Sequence, residues 1–152
     1  MTNAKRTGRP PLSGETTRYV ESSALVAALL EHDAAALSEL RSRGRRVTSA
    51  LTFAEARRAV IRAAAAGRLT SADERTATTA LRRFERRSAV AALTDAVLAR
   101  VAQPFPVEPV RTLDAIHLAT IELMVDTPEL VTVVTRDERV RKNALALGYR
   151  VA

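Results

Sequence analysis

Four acidic residues far apart in the chain each adjoin an apolar run: Glu21 in Tyr19-Val-Glu-Ser-Ser23, Glu55 in Thr52-Phe-Ala-Glu55, Asp114 in Arg111-Thr-Leu-Asp-Ala-Ile-His117, and Asp137 in Val133-Val-Thr-Arg-Asp137. Taken singly, each reads as a structural carboxylate. Asp114 in particular fits the first turn of a helix, where the peptide dipole favours an acid. Gathered into one pocket, the same acids would need counter-cations. Without cysteine in the chain, carboxylates suit hard, oxygen-loving ions such as Mg²⁺ or Mn²⁺. Ions of this kind lower the pKa of bound water and orient it for in-line attack on phosphorus, so the chemistry to expect is hydrolysis of a phosphodiester.

The elements that must gather these residues follow from local pattern. Arg18–Glu21 reads as a strand, with Ser22 and Ser23 capping a helix over Ala24–Leu30. A second helix spans Ala34–Arg43 and stops at Gly44. Arg46–Ser49 is a strand, after which Ser49 or Thr52 caps a helix running to Ala66, with Glu55 early on it. Thr70 opens another helix reaching about Arg87, followed by a strand over Ser88–Leu93 and a short helix capped by Thr94. Thr112 caps the apolar helix Leu113–Val125, and the β-branched run Leu130–Thr135 is the clearest strand. Asp137–Leu147 is a helix ended by Gly148, and Tyr149–Val151 is a last strand. Strands alternating with helices predict an α/β fold, a parallel sheet flanked by helices on both faces. In such a sheet the ligand crevice lies beyond the carboxyl ends of the strands, where Glu21 and Asp137 fall.

Composition bounds the rest. The 152 residues suit one domain over 18–152, preceded by a basic disordered tail at 1–17 that lacks large apolar side chains. A net charge of +7 attracts polyanions, while an aromatic content of 3% argues for contacts to backbone phosphate rather than base stacking. Arg82, Arg83, Arg86 and Arg87 form a basic cluster that reads either as a solvated helix face or as a contact for RNA or protein. His117 shares a helix face with Asp114, but its apolar neighbours suggest a hydrogen-bonded packing residue. No apolar signal core or membrane span is visible, and a soluble, cytoplasmic protein is expected.

Leu113-Asp-Ala-Ile-His-Leu-Ala119 and Val134-Thr-Arg-Asp137, with the order and spacing of all four acidic segments, resemble the PIN-domain ribonucleases. The likeness is to the toxin half of VapBC-type toxin and antitoxin pairs in particular. It implies an α/β/α sandwich and a Mg²⁺- or Mn²⁺-dependent endoribonuclease. It also implies an RNA substrate, a small cognate antitoxin that blocks the acidic pocket, and commonly a homodimer. On this resemblance Glu55, Asp114 and Asp137 take the second, third and fourth acidic positions. Ser23 matches the small hydroxyl residue two places after the first, and Thr135 is a further supporting hydroxyl.

Glu21 departs from the pattern, since the first acidic position is usually aspartate. If the added methylene holds an ion off its best geometry, Glu21→Asp should raise Mg²⁺-dependent cleavage; equal or lower cleavage would mean that the backbone has adapted to glutamate or that the site no longer serves catalysis. That departure motivates a second reading, a catalytically weakened domain that binds RNA or protein. A third is a DNA-binding protein acting through residues 5–11, Lys5-Arg-Thr-Gly-Arg-Pro-Pro11, which resemble part of an AT-hook.

Overall fold

The computed structural model describes residues 16–125 and 127–152. The DNA contact read into residues 5–11 and nearly all of the expected tail lie outside them. Thr17, placed in that tail from sequence, opens the first strand.

The chain runs β1 (Thr17–Val20), α1 (Ser22–Leu30), α2 (Ala34–Arg41), β2 (Arg45–Ser49), α3 (Ala50–Ala65), α4 (Ser71–Arg86), β3 (Ala89–Ala91), α5 (Asp95–Val101), α6 (Thr112–Met124), β4 (Val131–Val134), α7 (Glu138–Ala146) and β5 (Arg150–Val151). All strand pairs are parallel, in the order β3-β2-β1-β4-β5. β1 lies at the centre, with Tyr19 opposite Val47 on one side and Val133 on the other.

Strand alternation divides the core into two layers. Tyr19, Val131 and Val133 pack with Ile116, Leu118, Ile121 and Val140 from α6 and α7. Val20 and Val134 point the other way, into Leu25, Phe53, Val60 and Leu81 from α1, α3 and α4. The expected α/β/α sandwich is therefore present, because β1 and β4 are apolar on both faces and require a helical layer on each.

Several boundaries differ from the sequence reading, for local reasons. Glu21 itself caps α1, its side chain accepting from the Ser23 backbone N–H, so Ser22 and Ser23 lie inside the helix rather than capping it. Arg111, not Thr112, occupies the capping position of α6, without a side-chain capping bond. Pro128–Leu130 forms a 3₁₀ turn, which trims Leu130 from β4. α2 ends at Arg41, and Gly44 enters β2 at φ +121°, a conformation that favours glycine. A Cβ there would lie 2.3 Å from the Thr16 carbonyl oxygen.

Candidate active site

Beyond β1 the chain turns toward β2, and beyond β4 it turns the opposite way to β5, so the carboxyl ends of β1 and β4 bracket a switch point of the sheet. Glu21 directly follows β1, and Thr135, Arg136 and Asp137 follow β4. α6 brings Asp114 and His117 to the same edge, and α3 brings Glu55.

The Glu21 carboxylate is only 3% exposed and is enclosed by donors. Oε1 accepts from Ser22 Oγ at 2.6 Å and from the Ser23 backbone N–H at 3.1 Å. Oε2 accepts from Thr135 Oγ1 at 2.8 Å and from Ser23 Oγ. Thr135 Oγ1 in turn accepts from the Asp137 backbone N–H at 3.0 Å, which ties the end of β4 to that of β1. The Glu21 side chain folds back onto the first turn of its own helix, where Ser22 and Ser23 donate to it. Both hydroxyl residues singled out from sequence, Ser23 and Thr135, thus touch Glu21.

Glu55 is fixed from the opposite side. Its Oε2 lies 2.7 Å from His117 Nε2, while His117 Nδ1 lies 2.9 Å from the Tyr19 hydroxyl. Burial first, then the negative charges of Glu21 and Glu55, hold the Tyr19 phenol well above its usual pKa. The ionised Glu55 carboxylate can only accept, so Nε2–H donates to it, while Nδ1 meets the Tyr19 hydroxyl. Burial pushes the Glu55 carboxyl up; the His117 hydrogen bond and charge, followed by Ser22 and Arg111, outweigh it and hold the group below the ordinary glutamate range. His117 is buried and hydrogen-bonded, as its apolar neighbours implied, but its partner is an acid of the cleft. It belongs to the site rather than to packing alone.

Asp114 and Asp137 form a second group joined by a residue that sequence reasoning missed. Arg111 Nε lies 2.8 Å from Asp114 Oδ2, and its Nη2 lies 3.3 Å from Asp114 Oδ1 and 2.9 Å from Asp137 Oδ2. The other Asp137 oxygen caps α7 by accepting from the N–H groups of Arg139 and Val140. The spacing of Arg111 and Asp114, three residues apart at a helix start, was the available signal. The structure thus brings all four acids to one edge, in two neighbouring groups. Arg111 bears on Glu55 as well, since its own pKa is raised first by the Asp114 hydrogen bond and further by the charges of Asp114, Asp137 and Glu55.

Glu21, Glu55 and His117 each offer a ligand atom within 4.8 Å of the others. With Asp114 and Asp137 already holding a guanidinium between them, the donor set fits a divalent cation bound mainly by oxygen.

The basic cluster on α4 divides. All four arginines are exposed, but only Arg83 and Arg87 line, with Arg75, a groove of about 800 Å³ between α1, α2 and α4. Leu25, Leu29, Leu37 and Phe84 supply apolar surface within the groove. None of the four acids lines it.

Solved structures share the fold, two VapBC structures among them. The VapBC2 structure from Rickettsia felis, bound to a DNA fragment from its promoter, aligns with a TM-score of 0.61 at 12% identity, covering 90% of this chain and 97% of the other. VapBC-1 from nontypeable Haemophilus influenzae aligns at 0.52 and 12% identity, covering 90% and 96%. In sequence, Ribonuclease VapC35 of Mycobacterium tuberculosis, in strains CDC 1551 / Oshkosh and ATCC 25618 / H37Rv, is 37% identical over 137 residues, 88% of this chain and 93% of its own. The PIN domain family model matches residues 18–145. That match spans both sequence motifs and every acid at the sheet edge, and the chain accordingly belongs to the PIN-domain family, as a homologue of its VapC ribonucleases.

Proposed function

We propose that the protein is a metal-dependent endoribonuclease toxin that hydrolyses RNA phosphodiester bonds, with Glu21, Glu55, Asp114 and Asp137 as its metal-holding and catalytic acids. The observation that carries this reading is the convergence of the four acids, with His117, at the switch point between β1 and β4. A bound Mg²⁺ or Mn²⁺ would supply a water of lowered pKa and neutralise charge on the phosphate. The chain's own contribution is preorganisation. Ser22, Ser23 and Thr135 fix the Glu21 carboxylate, while the Tyr19–His117 pair fixes Glu55. The net charge of +7 favours RNA at long range, with the exposed Arg82 and Arg86 as candidate phosphate contacts.

A small cognate antitoxin completes the proposal, together with a cytoplasmic location and a homodimer. The groove between α1, α2 and α4 supports a protein partner: its leucines suit the apolar face of a helix, and Arg75, Arg83 and Arg87 suit acidic residues beside that face. On this basis Arg83 and Arg87 serve the partner rather than RNA.

Cleavage of cellular RNA, measured with Mg²⁺, with Mn²⁺ and with a chelator, tests the activity. Asp114→Asn keeps nearly the same shape but removes a charge, so it should abolish metal-dependent cleavage while leaving the far-ultraviolet circular dichroism unchanged. An Asp114→Asn protein that cuts as fast as the parent with the same metal dependence would show the assigned site to be wrong.

A further inference from the structure

Arg111 and its carboxylate partners differ sharply in how firmly they are held. Asp114 is 6% exposed and packed within α6, whereas the Arg111 side chain is 60% exposed. Arg111 stands at the capping position of α6 without a side-chain capping bond, so moving its side chain leaves the helix intact. The acids are held by the fold, whereas the cation over them is held only by those acids and is otherwise solvent-exposed. Its planar fork matches a pair of carboxylates and equally matches phosphate oxygens.

We propose that Arg111 is a displaceable counter-cation of the cleft: it neutralises Asp114 and Asp137 in the metal-free chain, yields them to a divalent metal, and then turns to a backbone phosphate of the RNA. This rests on the metal-dependent ribonuclease reading above. In the metal-free protein the guanidinium bridges Asp114 and Asp137, so the two carboxylates are held side by side before a metal arrives. Once freed, the same group lies at the rim, where incoming RNA must pass.

The test compares the parent with Arg111→Gln and Arg111→Lys. Calorimetric titration with Mn²⁺ in the absence of RNA should show about fivefold tighter binding by Arg111→Gln, the scale of an exposed ion pair removed from competition. Arg111→Lys, a single-point cation, should fall between. Without metal, Arg111→Gln should melt below the parent, and saturating Mn²⁺ should close that gap; a merely structural arginine would leave it open. At saturating Mn²⁺ and matched salt, Arg111→Gln should raise KM for RNA more than it lowers kcat. Unchanged or weaker Mn²⁺ binding by Arg111→Gln, beside a parent that binds Mn²⁺ and cleaves RNA, overturns this proposal alone. An unchanged KM overturns its phosphate step, and a parent that binds no Mn²⁺ overturns this proposal and the metal-dependent activity together.

Discussion

Glu21→Asp separates a site that tolerates its glutamate from one built around it. Removing a methylene retracts the carboxylate by about 1.5 Å, one carbon–carbon bond. Aspartate at a helix N-cap keeps the bond to the Ser23 backbone N–H. Thr135 Oγ1, now 2.8 Å from Glu21 Oε2, would be left beyond hydrogen-bond reach. The Ser23 hydroxyl on the same oxygen would be stretched as well. Losing one buried hydrogen bond to a charged group costs about 2 kcal/mol. For a chain of this size that lowers the melting temperature by about 4 to 8 °C. Thr135→Val should lose the same bond, and the double variant should then be much less destabilised than the two single losses added together. Thermal melts of the metal-free proteins read this out, and cleavage assays with Mg²⁺ and Mn²⁺ should show no gain for Glu21→Asp. A Glu21→Asp protein that melts with the parent and cuts faster in Mg²⁺ would refute the reasoning, and would mean that the methylene holds ions off their best geometry.

Glu55→Gln should abolish metal-dependent cleavage as Asp114→Asn does, with circular dichroism confirming that the fold persists. His117→Ala removes the donor that holds Glu55, so it should reduce kcat and lower stability by about 1 to 3 kcal/mol in urea titrations. Because the folded Glu55 carboxyl is held below its ordinary range, its ionised form contributes stability that is full above the unfolded pKa of about 4.3 and is lost as pH falls through the lower folded value. His117→Ala should flatten that acid limb of the stability curve; an unaltered limb would assign the acid sensitivity to other carboxylates. Leu29→Arg in the groove should weaken co-purification with the antitoxin severalfold while RNA cleavage by the free protein is retained.

The sequence by itself determined the fold class and singled out four acids as candidates for one site. Continuous β-branched residues in Val131–Val134, flanked by helical segments, leave a buried parallel strand as the consistent reading. Motif order then placed Glu21, Glu55, Asp114 and Asp137, since acids at strand ends and helix starts are features of local chain order. The tertiary structure alone decided who holds them. Tyr19 and His117 are separated by 98 residues, His117 and Glu55 by 62, and Thr135 and Glu21 by 114. Such partners meet only when the sheet and its helices assemble; parallel pairing of β1 with β4 brings Thr135 to Glu21, and the docking of α6 brings His117 to Tyr19 and Glu55. Even Arg111, three residues from Asp114, acquires its bridging role only when folding brings Asp137 to the same guanidinium. Helix and strand periodicity reports which face a residue occupies, whereas the charge that answers an acid across the cleft depends on contacts between distant segments.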